Sequence, residues 1–417
     1  MDHDQRREYP YHRRMNPLGS PLSPSGGMFR LDRPSTGDLI QGIATGWDAT
    51  IVSGSNQLIV HGPQGGDTYE ESLEDALSAA QEALDFLALQ CGIAHTIEGV
   101  ETEHLIWWTK NGDVILRDVA VEDFKVSVSG NLTVTDAQGI LQAHPPVPVV
   151  AWHESFRYFR LSQTTGDLFD AYRNLYLAVE SLLSTVVPMH LSAAGTPAEG
   201  EGVWLRRALT QIHPLTVDLA GYALPGSANP IDAVYKDLYA GTRTQLFHSK
   251  AGRPILLPHT MSGRDAVLDS LERLGRLYLD LSRSVLSVQR GIGVMTNVGF
   301  EMTTAMPGEV IVSDDSALPQ RTDTVVNPNG GASFTLPTTR PVELARPGLT
   351  TWLGEALASD VLREVSAVHR VALMWPGGLA LVGLHEPALT LEDVTIFQVQ
   401  RSLRLVNQQT VKFRYVT

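Results

Sequence analysis

The chain has 417 residues, 43% of them hydrophobic, and a formal charge of −14 from 46 acidic and 32 basic side chains. Its length accommodates two or three domains at about 100–200 residues each, and its hydrophobic content excludes wholesale disorder. The net charge argues against coating nucleic acid or acidic membrane by bulk attraction, and the lone Cys91 excludes an intrachain disulfide framework or a cysteine-based zinc cluster.

Residues 1–35 read as a flexible tail with Arg6, Arg7, Arg13, Arg14 and the pair Gly26-Gly27. No apolar stretch follows the arginines, so this is not a secretory signal. The most apolar later run, Val371 to Leu384, is interrupted by Pro376, Gly377 and Gly378. It is also shorter than the roughly 20 residues that span a bilayer. A soluble, cytoplasmic protein without membrane partners is expected.

Residues 36–152 show short alternating runs, such as Gln57 to Val60, Leu105 to Trp108, Val114 to Leu116 and Lys125 to Val128. Turn pairs Asn111-Gly112 and Gly130-Asn131 separate them, as hairpins require. One helix interrupts, over about Glu70 to Gln90, with Leu73, Leu77, Ala80, Leu84 and Leu87 at helical spacing and Gly92 closing it. Trp107 and Trp108 in one strand face opposite ways, one in the core and the other exposed or at a domain interface. This reads as an α+β domain of unknown role, a candidate sensor or regulatory unit, with His144 to Pro148 as a candidate boundary.

Residues 153–291 are helical. Leu168, Tyr172, Leu175, Tyr176, Val179 and Leu183 form one stripe within Asp167 to Val187. Val203 to Ile212 is a second helix. Ile231 to about Phe247, opened by Asn229-Pro230, is a third, and Arg264 to Gln289 is the longest. Ala193 to Gly202 reads as a solvent loop, and the cation–aromatic run Trp152 to Arg160 as packing at a domain junction or a base-stacking surface. Residues 292–417 are β-rich, with strands at Val310 to Val312, Ser333 to Thr335 and Val411 to Tyr415, a turn at Asn327 to Gly331, and one helix over Thr351 to His369. The fold class is therefore α+β multidomain, an all-α bundle between an α+β domain and a β-rich domain.

No phosphate-binding loop, dinucleotide fingerprint, nucleophile elbow or HExxH zinc motif is present. No cofactor or metal is expected. The arrangement that stands out is Arg243-Thr244-Gln245-Leu246-Phe247-His248, at the end of the third helix. Spacing alone is weak, because 27 arginines and 13 histidines produce such pairs by chance, as at Arg207 with His213 and Arg363 with His369. Context separates Arg243 and His248: they end a helix of the bundle, and Lys250 and Arg253 follow.

Phe156 to Leu183 together with Tyr235 to Pro258 resembles the HEPN superfamily, most closely its ApeA-like and MauJ-type branch. The resemblance implies a helical bundle carrying an Arg-x4–6-His motif, here Arg243 and His248. It further implies a metal-independent endoribonuclease acting as a homodimer or higher homo-oligomer, in antiphage defence or abortive infection, under an unidentified trigger or regulatory partner. Thr244 stands where Asn, Asp or His often follows the arginine. RNA supplies its own nucleophile, the 2′-hydroxyl. A histidine can take that proton or protonate the leaving 5′-oxygen, and a guanidinium can hold the phosphate. The products would be a 2′,3′-cyclic phosphate and a 5′-hydroxyl.

On a regular helix, residues five apart point about 140° away from each other. The helix must loosen near Leu246, or the two residues must meet across a dimer interface. Glu180 either orients Arg243 or His248 or is a solvated helix position, and Tyr239 reads as a packing residue. Lys250 and Arg253 bind phosphate or complement a helix C-terminus. The alternative function is a non-catalytic ligand-sensing or interaction protein that keeps the bundle for oligomerisation. The charge is unevenly spread: residues 35–165 carry 18 acidic and 5 basic side chains, whereas 166–292 carry 12 of each. The helical block is thus electrically neutral beside an acidic neighbour.

Overall fold

A computed structural model describes residues 22–43, 45–63, 65–125, 134–142, 149–213, 217–223, 226–247, 255–257, 259–288, 295–320, 323–375, 378–406 and 415. Four strands open the chain: β1 (Ser25–Arg30), β2 (Leu39–Gly42), β3 (Asp48–Ile51) and β4 (Gln57–Gly62). Helix α1 (Tyr69–Cys91) follows, capped by the Thr68 side chain accepting from the Glu71 amide and closed by Gly92 at φ 67°. Strands β5 (Glu103–Lys110) and β6 (Asp113–Lys125) form a hairpin whose turn places Asn111 at φ 55° and Gly112 at φ 90°. That positive-φ pair is what a two-residue hairpin demands. The short strands β7 (Val134–Thr135) and β8 (Leu141–Gln142) pair with each other.

The central segment is mostly helical: α2 (Glu154–Thr164), α3 (Leu168–Val186), α4 (Glu201–Ile212), α5 (Pro230–Tyr235), a π-helical stretch Lys236–Arg243, α6 (Thr244–Phe247), α7 (Met261–Leu286) and α8 (Asn297–Thr304). Tyr172, Leu175, Val179 and Leu183 of α3 pack with Trp204 and Leu209 of α4 and with Leu271, Leu274 and Tyr278 of α7. Phe159 of α2 stacks on Tyr278 with ring centroids 4.8 Å apart, so part of the cation–aromatic run serves packing. The chain then returns to strands β9 (Glu309–Ser313), β10 (Ser333–Leu336), β11 (Thr338–Thr339) and β12 (Leu349–Leu357), helix α9 (Ala358–Glu364), and strands β13 (Val368–Trp375), β14 (Gly378–Leu389) and β15 (Ile396–Val406).

The two ends of the chain build one sheet. Its nine strands run in the order β11-β12-β15-β6-β5-β1-β4-β3-β2. Every neighbouring pair is antiparallel except β15 and β6, which run parallel from Ile396 beside Ile115 to Val406 beside Lys125. One face, with Phe29, Leu58, Val60, Ile106 and Trp108, packs on α1 through Ala76, Leu77 and Ala80. On the other face Met28, Ile59, Leu105 and Trp107 meet Val310, Val312, Val371 and Leu373 of a second, four-stranded sheet ordered β10-β9-β13-β14. Both tryptophans of the pair are therefore buried, and Trp107 lies where residues from the two ends of the chain meet.

A buried ion pair ties the helical segment to this sheet. Arg264, near the start of α7, donates from Nε to Glu101 Oε1 at 2.6 Å, and its Nη2 reaches the Tyr415 carbonyl at 3.4 Å. Glu74 of α1 accepts from the amide and hydroxyl of Ser262 at 3.1 and 2.9 Å. Among the described residues, no helix is long and apolar enough to cross a membrane.

Several sequence expectations change. Residues 22–35 are not a flexible tail, because β1 lies between β4 and β5 in the sheet interior. A Cβ on Gly26 would run into the Trp107 indole and one on Gly27 into Ile106, so the glycine pair marks close approach rather than looseness. Residues 36–152 and 292–417 share a sheet, β11, β12 and β15 joining the N-terminal strands, while β9, β10, β13 and β14 form the second. The helix expected over Thr351 to His369 is confined to Ala358–Glu364. Thr351 to Leu357 instead extend β12, where Trp352 buries and Gly354 lets Leu336 and Val310 press close. Gly130-Asn131, His144 to Pro148 and Val411 to Arg414 lie outside the described residues.

Candidate functional site

Arg243 is the last residue of the π-helical stretch, and three local features account for that widened turn. Gly241 has no Cβ, and one placed there would sit 2.8 Å from the Lys236 carbonyl oxygen. The carbonyls that a π turn leaves poorly satisfied find side-chain donors. Tyr172 Oη donates to Leu238 O and Thr244 Oγ1 to Tyr239 O, both at 2.8 Å. Asp237 anchors the stretch to α7, accepting from Nε and Nη2 of Arg273 at 2.8 Å. The loosening thus precedes Arg243 rather than falling near Leu246, and Thr244–Phe247 is ordinary α-helix.

The Arg243 guanidinium is enclosed by one carboxylate and three rings. Nη2 lies 2.7 Å from Glu201 Oε1 and 2.9 Å from Glu201 Oε2. The rings of Tyr239, Tyr176 and Phe247 have centroids 4.8, 5.2 and 5.7 Å from its central carbon. Glu180, one helical turn beyond Tyr176 on α3, completes the cluster. Burial first, and then the Glu201 charge, push its carboxyl above the usual carboxylate range, while Arg243 pulls the opposite way. Tyr176 Oη is buried and has no hydrogen-bond partner among the described residues, and burial together with Glu180 raises its pKa.

Beside the cluster, a cleft of about 760 Å³ runs between the first turns of α4 and the π-helical stretch. Glu201, Arg206, Arg207, Tyr235 and Tyr239 are among its walls. Tyr235 and Tyr239 pair with centroids 5.3 Å apart, and the Arg206 guanidinium lies 4.3 Å over the Tyr235 ring. Arg206 is ion-paired with Asp232, and Arg207 with Glu199. Two of the cleft's cations are therefore already matched by carboxylates.

Of the residues singled out from sequence, Arg243 and Glu180 are brought together. Thr244 serves its own helix through Tyr239 O rather than facing the cluster. His248, Lys250 and Arg253 lie outside the described residues. Sequence reasoning missed Glu201, which belongs to the first turn of α4 and not to a solvent loop, and took Tyr239 only as packing.

No family model, curated protein or solved structure matches the chain. Among the described residues, no three His, Cys, Asp or Glu side chains gather as a metal-binding group.

Proposed function

We propose that the helical segment is a HEPN-type endoribonuclease that cleaves RNA by attack of the 2′-hydroxyl, with Arg243 as phosphate ligand and His248 as the acid–base group. The observation that carries this reading is the placement of Arg243. It ends a π-helical stretch, a feature concentrated at functional sites, and lies one side chain behind a cleft lined by tyrosines and arginines. Glu180, whose carboxyl burial and the Glu201 charge push above the usual carboxylate range, adds a titratable group beside the guanidinium. In this reading the bundle pairs with a second copy to bring two motifs into one cleft, and the acidic sheet region limits where RNA can approach. Antiphage defence is the setting that the family resemblance implies.

The test is RNA cleavage in chelator-containing buffer by wild type and His248→Ala. Wild type is expected to leave 2′,3′-cyclic phosphate and 5′-hydroxyl ends, and the variant to lose about 10²- to 10⁴-fold in rate. Equal activity of the two proteins removes the catalytic assignment.

One observation favours a second reading, a non-catalytic interaction protein. Arg243 already has a carboxylate and three aromatic partners within its own chain. That reading expects cleavage by neither protein and an oligomer that survives Arg243→Ala.

A further inference from the structure

Arg243 does not line the cleft, but two of its partners, Glu201 and Tyr239, do. A ligand entering along α4 meets the Glu201 carboxylate before it meets the guanidinium. The geometry points to Glu201 as an intramolecular anion that holds the phosphate seat on Arg243 and swings aside when a phosphodiester of single-stranded RNA enters the cleft. This rests on the reading of Arg243 as the phosphate ligand, and it adds how that ligand is kept occupied until substrate arrives.

The chemistry of the exchange is matched. Carboxylate and phosphate each offer a guanidinium two oxygens, and arginine binds both groups in the same manner. Here the contact runs through Nη2, which donates to Glu201 Oε2 at 2.9 Å and lies 2.7 Å from Oε1. One anion replaces another at the same donor, so no cation is left bare on the path.

The exposure of the pair fits an exchangeable contact. The side chains of Arg243 and Glu201 are 22% and 32% exposed, against 0% and 4% for the structural pair Arg264 and Glu101. The first pair can be reached by solvent and ligand, whereas the second would have to unfold its surroundings.

Glu201 is also placed where movement costs little. It is the first residue of α4, its N-cap is Gly200 with no side-chain cap bond, and the preceding turn holds Gly195 at φ 77°. With its side chain 32% exposed, Glu201 can leave by side-chain rotation, without a shift of the tightly packed turn at Gly202.

The neighbouring wall fits an unpaired strand. Tyr235 and Tyr239, with Arg206 over the former, offer a ring face and a cation for a base adjoining the bound phosphate. Bases of a duplex are stacked already and cannot use it.

The experiment is fluorescence anisotropy with a labelled 2′-O-methyl oligoribonucleotide, which has no free 2′-hydroxyl and cannot be cleaved. The full-length wild type, Glu201→Gln and Arg243→Ala are compared at one salt concentration. Glu201→Gln is expected to bind about three- to tenfold tighter than wild type, and Arg243→Ala correspondingly weaker. Weaker binding by Arg243→Ala without tightening in Glu201→Gln overturns the displaceable anion and leaves the phosphate role of Arg243 standing. Equal affinity of wild type and Arg243→Ala overturns both. If Glu201→Gln does not fold, Glu201→Asp retracts the carboxylate by one methylene and is expected to tighten binding in the same direction. Unchanged affinity in that variant equally overturns the proposal.

Discussion

Glu201 and Arg243, 42 residues apart in sequence, form an ion pair across the mouth of a helical bundle, Arg243 Nη2 donating to Glu201 Oε2 at 2.9 Å. Their approach depends on the residue after Glu201. Gly202 lies so close to the π-helical stretch that a Cβ would sit 2.7 Å from Tyr235 Oη and 3.0 Å from Tyr239 Cε1. Gly202→Ala must therefore shift either the rings or the first turn of α4. It is expected to cost about 1–3 kcal/mol, read as a lower urea midpoint at unchanged slope.

Thr244 distinguishes helix support from substrate contact. Its hydroxyl satisfies the Tyr239 carbonyl at 2.8 Å. Thr244→Val removes that donor at nearly constant volume and is expected to cost about 1 kcal/mol in chemical denaturation. RNA cleavage, measured well below the unfolding midpoint, should hardly change. A large loss of cleavage without a change in stability would place Thr244 at the substrate instead.

The buried pair between Glu101 and Arg264 should behave as a unit. Arg264→Met strands a carboxylate in the interior and is expected to cost about 3–5 kcal/mol. Adding Glu101→Leu should recover most of that loss, since two apolar groups then replace two charges. A double-mutant cycle by urea unfolding measures the coupling.

His104 gives stability a predictable pH dependence. The ring is buried, with one nitrogen 2.7 Å from the Val100 carbonyl and the other 2.5 Å from Tyr69 Oη. Burial lowers its pKa from 6.5 to about 4. Between those values the unfolded chain binds a proton that the folded chain refuses, so stability falls as pH drops from about 6.5 to about 4 and levels off below. The loss is on the order of 3 kcal/mol. His104→Gln should flatten the urea midpoint across that window, and an unchanged pH profile would contradict the assignment.

Periodic segments were legible in the sequence, and juxtapositions were not. α1, α3 and α7 announced themselves because their apolar residues recur at helical spacing, whereas the caps Thr68 and Thr260 went unread and α7 starts at Met261 rather than Arg264. β1 was hidden because Ser25-Gly26-Gly27 has the composition of a linker, whereas Gly26 admits Trp107 and Gly27 admits Ile106. The π turn left no readable pattern, since it spans only eight residues and depends on Gly241 and on hydroxyls from Tyr172 and Thr244. Arg243 was found through its motif. Glu201 was not, because nothing in its local sequence Ala198-Glu199-Gly200-Glu201-Gly202 distinguishes a solvated carboxylate from one that meets a distant arginine.

The parallel pairing of β6 with β15 also sets a schedule for synthesis. Ile115 emerges from the ribosome 281 residues before its neighbour Ile396, an interval of about 15 to 60 seconds at ordinary elongation rates. Throughout that interval β6 presents an open edge in what becomes the middle of the sheet, while the helical segment is made and can bury its own stripes. The nascent chain therefore carries a sticky strand beside a bundle able to fold first, the situation in which a holding chaperone or rapid closure of the bundle decides the yield of native protein.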